Sequence, residues 1–304
     1  MKHLRVAVLM GGPSTECDVS RASGQMVVQA LQATGATVLP VDLAGTEVQL
    51  PAKLDVAFIA MHGTFGEDGH LQQILEDHGV TYTGSDPGSS ARAFDKEVAK
   101  QCFVEAGVAT PAHMILDGDL SVLDELQWPV VVKPARQGSS VGISIVRDRQ
   151  SLLPAIAKAR AFEGAVVVEQ FIRGRELTVG ILGKRALPVI EIRTKRVFFD
   201  YEAKYTAGEA EEICPAQLDA TTTARAQALA LRAHECLGCR DFSRVDLMLS
   251  GTGELFVLEV NTIPGLTPNS LLPKAARAAG MNMTELCTRM IELALVRRAE
   301  AVAA

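Results

Sequence analysis

The chain has 304 residues, 48% of them hydrophobic and 22% charged, with a net charge of −6 and a pI near 5.6. That composition suits a globular chain of two or three domains with a sizeable core. The acidic balance, offset by no Lys/Arg cluster, argues against a nucleic-acid partner. Met1–Arg5 runs straight into a strand without an apolar leader, and no segment has the length of a transmembrane helix, so a cytoplasmic protein with no membrane role is expected.

In chain order, Leu4–Met10 predicts a strand, followed by a Gly-Gly turn, a helix over Val19–Ala33 and strands at Thr37–Val41 and Val56–Ala60. Strands alternating with a helix imply an α/β unit with a parallel sheet. A short helix at Leu71–His78 and the run Tyr82-Thr83-Gly84 lead into a polar stretch, Ser85–Ser90, that reads as a boundary. Next come a helix over Lys96–Ala106, strands at Pro129–Lys133 and Ile143–Val146, a helix at Leu152–Ala161 and a strand at Ala165–Glu169. Strands at Glu176–Leu182 and Leu187–Ile192, a helix over Ala220–Leu237, a hairpin and two terminal helices complete the chain, the last from about Met283 to Val302. The expected units are 1–85, 86–169 and 170–304. Six cysteines scattered through the sequence match neither a disulfide framework nor a zinc site, and reduced thiols are expected.

The hairpin carries the chemistry. Strand-like runs Ser243–Leu249 and Leu255–Val260 flank the turn Ser250-Gly251-Thr252-Gly253. A loop of two or four residues pairs positions of opposite parity, so Arg244 and Asp246 should share a face with Glu259 and Asn261. Asp246, Glu259 and Asn261 are hard oxygen donors of the kind that hold Mg²⁺ between a protein and nucleotide phosphates. The competing reading is a solvated hairpin face, but the apolar flanks Val245, Leu247, Leu249, Phe256 and Leu258 favour a built site. A second motif, Lys133-Pro134 followed by Gly138-Ser139-Ser140-Val141-Gly142, puts a lysine at the end of a buried strand before a loop of small residues that phosphate can approach closely. It is not a Walker A loop, in which the lysine follows the glycines and opens a helix.

Together with Gly11-Gly12-Pro13-Ser14-Thr15-Glu16, His62-Gly63, Gly66-Glu67-Asp68-Gly69, Asp95-Lys96, Tyr201-Glu202-Ala203-Lys204-Tyr205 and Asn261-Thr262-Ile263-Pro264-Gly265, these motifs resemble the ATP-grasp superfamily, and within it the D-alanine-D-alanine ligases, along essentially the whole chain. The resemblance implies an α/β and α+β fold: an N-terminal Rossmann-like parallel sheet followed by a two-lobed ATP-grasp fold. It implies ATP-dependent joining of two D-alanines through an acyl phosphate for peptidoglycan synthesis, with two Mg²⁺ ions for which Mn²⁺ can substitute, in a homodimer. By the same resemblance, Lys96, Lys133, Ser139, Phe198, Lys204 and Leu258 contact the nucleotide. Glu169 accepts from the adenine amino group, Phe171 and Ile172 read its other edge, and Glu176 holds the ribose. Asp246, Glu259 and Asn261 hold the metal. Glu16, with His62 nearby, binds the first D-alanine. Arg244 and the amide of Gly265 form the oxyanion site, Ser270 and Leu271 bind the second carboxylate, and Ser139, Tyr205 and Glu16 form a hydrogen-bonded set on a closing loop.

Two other readings are weaker. A dinucleotide-binding oxidoreductase is suggested by Gly11-Gly12 after a strand and by Asp42, but Gly-x-Gly-x-x-Gly is missing and the hairpin would go unexplained. A nucleotide sensor without catalysis would need neither Arg244, Glu16 nor Tyr205. One position departs from the family's pattern: Cys17 stands where a basic residue usually follows the glutamate, at a helix start that favours a thiolate while neighbouring carboxylates oppose it.

Overall fold

The structure is a computed structural model and describes residues 1–116, 127–139, 141–162, 164–194 and 210–303. Strands β1 (Arg5–Gly11), β2 (Thr37–Leu43) and β3 (Val56–Ile59) form a parallel sheet in the order β2-β1-β3. The unbroken apolar run of β1 is explained by burial on both faces. Val6, Val8 and Met10 pack against Val27 and Leu31 of α1 (Cys17–Gln32). On the other face, Ala7 and Leu9 meet Leu71 and Leu75 of α2 (His70–Asp77).

The polar stretch Ser85–Ser90 contains the start of a helix. Asp86 accepts from the Ser89 amide at 2.7 Å and caps α3 (Pro87–Phe94), with Pro87 at a first-turn position where a missing N–H costs nothing. Asp95 accepts from the amides of Glu97 and Val98 at the start of α4 (Lys96–Glu105).

The second sheet, β4 (His113–Leu116), β5 (Val130–Pro134), β6 (Ser144–Val146) and β7 (Val166–Gln170), is antiparallel in the order β4-β7-β5-β6, and α5 (Leu152–Arg160) covers it. The third contains β8 (Gly174–Leu182), β9 (Arg185–Ala186), β10 (Ile190–Thr194), β11 (Ala210–Ile213), β12 (Phe242–Ser250) and β13 (Leu255–Asn261), ordered β11-β10-β8-β12-β13 with β9 beside β8. The expected strand at Leu187–Ile192 starts later, as β10 from Ile190, because Pro188, which has no N–H to give a ladder, lies between β9 and β10. Behind this sheet, Ala226, Ala230 and Ala233 of α6 (Ala220–Cys236) share a core with Ala93, Ala99 and Phe103 from α3 and α4.

Helices α7 (Leu271–Ala278) and α8 (Met283–Ala303) close the chain. Leu286, Cys287, Met290, Ile291 and Ala294 of α8 are buried at helical spacing in the core beneath β1. Arg297 pins α8 by donating to Asp241 Oδ2 at 2.5 Å and to the Tyr82 carbonyl at 2.7 Å, which joins the first and third sheets. Among the described residues no helix is long and apolar enough to cross a membrane.

Candidate active site

Three rows of side chains cross the third sheet on one face. Register pairs Arg244 with Gly180 and Asn261; Asp246 with Thr178 and Glu259; and Met248 with Glu176, which pairs with Ile192, itself paired with Glu212. The convergence expected of the hairpin is present, but it arises differently. The loop has three residues between Ser250 and Glu254, with Gly253 in the left-handed region at φ 83° and the Ser250 amide donating to the Glu254 carbonyl at 2.8 Å. Such a loop pairs residues of equal parity, as in Leu249 with Leu255. A bulge between Asp246 and Leu247 then absorbs Leu258 and restores Glu259 opposite Asp246. Leu258 and Glu259, adjacent in sequence, therefore both line the same cavity.

Arg244 forks onto Asp246, with Nε donating to Oδ1 at 2.9 Å and Nη2 to Oδ2 at 2.7 Å. Burial opposes the guanidinium charge, but Asp246 outweighs it and the net shift is upward. Thr178 Oγ1 also donates to Asp246 Oδ1, at 2.6 Å. Asn261 Oδ1 accepts from the Ile263 amide at 3.0 Å, which sets the turn into Thr262–Gly265.

Glu16 sits at the start of α1 without capping it. Ser14 fixes it, accepting from the Glu16 amide at 3.1 Å and donating to the His62 carbonyl at 2.7 Å. Its carboxylate accepts from Ser139 Oγ and lies so close to Gly63 and Gly138 that a Cβ there would stand 2.7 and 3.0 Å from Oε2. Ser139 is held at φ 50°, a conformation unusual for a side-chain-bearing residue and common at functional sites. His62 is buried and both ring nitrogens are engaged: Nδ1 lies 2.9 Å from the Ile263 carbonyl and Nε2 2.9 Å from Ser23 Oγ. A carbonyl only accepts, so Nδ1 carries the proton and Nε2 accepts from Ser23. Ser23 Oγ in turn accepts from the Leu266 amide at 3.1 Å, so His62 and Ser23 brace the segment around Gly265.

Ser270 precedes α7 but turns its hydroxyl back to Thr267, accepting from its amide at 3.1 Å, so it gives α7 no side-chain cap. The first-turn amides of α7, beginning with Leu271, keep their anion-binding character.

Lys96 Nζ donates to the Gln137 carbonyl at 2.6 Å and lies 3.5 Å from Glu259 Oε2. Burial lowers its pKa, with Glu259 opposing. Lys133 Nζ donates to Glu169 Oε1 at 2.6 Å. The Phe171 amide is given to the Pro129 carbonyl at 3.2 Å; Phe171, Ile172 and Glu176 line a cavity of about 630 Å³ with Lys133 and Glu169. A second cavity, about 540 Å³, is lined by Glu16, His62, Ser139, Gly265, Ser270 and Leu271, and Arg244 also faces it. Lys96, Glu176, Asp246 and Glu259 line both, so the two spaces meet at the oxygen donors of the hairpin.

Phe198, Lys204 and Tyr205 lie outside the described residues. Two groups in the site were given no role from sequence. Glu67, buried beside His62 with Nδ1 at 3.6 Å, has its pKa raised chiefly by burial; its place within Gly66-Glu67-Asp68-Gly69 was the available signal. Lys100, whose Nζ lies 2.6 Å from Glu169 Oε2, left none, because one turn after Lys96 it reads as part of a solvated helix face.

The chain matches the family model described as D-ala D-ala ligase C-terminus over residues 110–292 and the one described as D-ala D-ala ligase N-terminus over residues 44–85. It is 47% identical to a D-alanine-D-alanine ligase of Pelobacter propionicus, covering 96% of each chain. It is 43% identical to that of Methylacidiphilum infernorum, again covering 96% of each. Among solved structures, the D-alanine-D-alanine ligase of Bacillus anthracis complexed with ATP superposes with a TM-score of 0.88 at 34% identity, over 98% of this chain and 99% of that one. The VanG D-Ala:D-Ser ligase of Enterococcus faecalis gives 0.85 at 29%, over 96% and 99%.

Proposed function

The chain belongs to the D-alanine-D-alanine ligase family, and on that premise we propose how its residues carry out the ATP-dependent joining of two D-alanines to D-alanyl-D-alanine for peptidoglycan synthesis. The observation that carries the assignment of roles is the shared wall. A cavity suited to an amino acid and a cavity suited to a nucleotide meet at Lys96, Asp246 and Glu259, where a phosphoryl group would pass from one to the other.

In this reading Glu16 holds the ammonium of the first D-alanine. The D-alanine carboxylate attacks the γ-phosphorus, ADP leaves and an acyl phosphate forms. Lys96 and Lys133 face the phosphates, Glu176 the ribose and Leu258 the adenine; with the Phe171 amide occupied, Ile172 reads the base edge. The second D-alanine binds by its carboxylate at the open N-terminus of α7, and its amine attacks the acyl carbon. Arg244 and the Gly265 amide face the oxygen that gains charge. Inorganic phosphate departs and the amine loses a proton. Ser139 joins the nucleotide contacts, and the same reading gives Phe198 and Lys204 a role toward the nucleotide and Tyr205 a role with Ser139 and Glu16. Asp246, Glu259 and Asn261, two carboxylates and an amide on adjacent strands, fit magnesium, which takes a few protein oxygens and completes its shell with phosphate and water. When bound, magnesium, as two ions or with manganese substituting, would neutralise the phosphate oxygens.

The proposal divides the chain at 85 and 169, with α3 and α4 of the middle unit lending their apolar faces to the third sheet. It places the protein in the cytoplasm, where ATP is available, as a homodimer.

The test is ATP-dependent product formation with D-alanine, D-serine and D-lactate supplied as acceptor in parallel. The rate with D-alanine should rise between neutral and mildly alkaline pH, because only the unprotonated amine is nucleophilic, and D-lactate should be a poor acceptor at neutral pH. Equal use of D-lactate would overturn the acceptor assignment.

A further inference from the structure

Lys100 enters none of these steps, yet it is 0% exposed. An ammonium is kept inside a protein only where it is paired and hydrogen-bonded. Its Nζ donates to Thr110 Oγ1 at 2.9 Å, and that hydroxyl donates to the Val257 carbonyl at 2.8 Å. Lys100 is thereby tethered to β13 of the third sheet, while the carboxylate it faces, Glu169, stands on β7 of the second. The pair thus links the second and third sheets beside the cavity that Glu169 lines.

Glu169 takes a different cation on each oxygen. Lys133 Nζ lies 2.6 Å from Oε1 and Lys100 Nζ 2.6 Å from Oε2. The Lys100 contact is close but not aligned as a hydrogen bond, since Oε2 has no hydrogen-bond partner of good geometry among the described residues. Oε2 is buried and held against Lys100 by charge, so Oε1 is the oxygen left to accept from a ligand when Lys133 moves away. Burial pushes the Glu169 pKa up, but Lys133 and Lys100 outweigh it and hold it at about 2.

The two lysines are not equivalent. Lys133 adjoins the loop of small residues, and polyphosphate would draw its ammonium away from Glu169. Lys100, tied to Thr110, cannot follow. We propose that Lys100 is a positioning residue that keeps Glu169 a fixed carboxylate acceptor for the adenine amino group once ATP is bound, and so sets the preference for adenine over guanine. Guanine presents a carbonyl oxygen where adenine presents the amino group. An ionised carboxylate repels that oxygen, whereas a protonated one can donate to it.

This inference rests on the reading of Glu169 as the adenine acceptor, and the experiment separates the two. KM is measured for ATP, GTP and purine riboside triphosphate, which lacks the amino group, in the parent enzyme, Lys100→Met and Thr110→Val, together with KM for D-alanine. The parent should favour ATP over purine riboside triphosphate about tenfold, the effect of one charge-assisted hydrogen bond. In Lys100→Met, KM for ATP should rise about tenfold while that for purine riboside triphosphate and for D-alanine stays put, and GTP should gain on ATP most at mildly acidic pH. If Lys100→Met does not fold, Thr110→Val, which loosens the tether and keeps the volume, should shift the ratio in the same direction. A parent enzyme indifferent to the amino group would overturn the Glu169 reading and the inference with it. A discriminating parent whose variants weaken all three nucleotides alike, or none, would overturn the role of Lys100 alone.

Discussion

In the proposed mechanism, Glu259 is the residue on which the phosphate side of the site turns. It faces Asp246 across the hairpin and lies 3.5 Å from Lys96, itself buried. Glu259→Gln keeps shape and hydrogen-bonding atoms but removes a charge from the wall between the two cavities. We expect turnover to fall by about a hundredfold or more, the scale of charge stabilisation at a phosphoryl-transfer site, with adenosine binding and melting temperature retained. Phosphate release near the parent rate at ordinary magnesium concentration would remove Glu259 from the ligand set. At this scale the sequence was informative where a residue type is rare in its setting: paired carboxylates on an apolar hairpin, or a glutamate behind Gly11-Gly12. It was silent on Lys100, because helical spacing shows which residues share a face and not whether that face meets water or a carboxylate from another sheet. The absence of a basic residue at position 17 is partly offset one turn later, where Arg21 Nη1 lies 3.8 Å from Cys17 Sγ and Nε donates to Asp42.

Element by element, strands and helices were legible from apolar runs and their caps, while turns and pairings were not. The hairpin shows why. Ser250-Gly251-Thr252-Gly253 reads as a four-residue turn, yet the pairing of Ser250 with Glu254 leaves three residues in the loop and reverses the parity. The bulge at Leu258 reverses it again, so the expected face was right although the expected ladder was not. Neither device leaves a mark in composition, since a bulge is settled by which side chains the cavity must receive. Deleting Leu258 should therefore leave Glu259 opposite Asp246 in a regular ladder. We expect the deletion variant to keep its dependence on magnesium concentration while KM for ATP rises roughly tenfold, the worth of one lost apolar contact. Loss of the magnesium dependence instead would mean that the bulge itself sets the ligand geometry.

At the scale of the molecule, three sheets each supply one part of the site. The first contributes Glu16 and the loop bearing His62, the second Lys133 and Glu169, the third the hairpin face of Asp246, Glu259 and Asn261 and the helix start at Leu271. Cores shared across sheets hold them together, and Arg297 pins the last helix to two of them. The division into sheets was readable from alternating patterns, but the use of α3 and α4 by the third sheet was not, because Ser85–Ser90 has the composition of a linker and the packing partner lies far along the chain. The central claim is that the two cavities form one reaction path, so that ATP cleavage serves peptide-bond formation. The direct measurement is the ratio of phosphate released to D-alanyl-D-alanine formed, with and without D-alanine, under magnesium and ATP. The account predicts one dipeptide per phosphate and negligible ATP cleavage without D-alanine; phosphate release that proceeds without the amino acid, or that outruns the dipeptide, would contradict it.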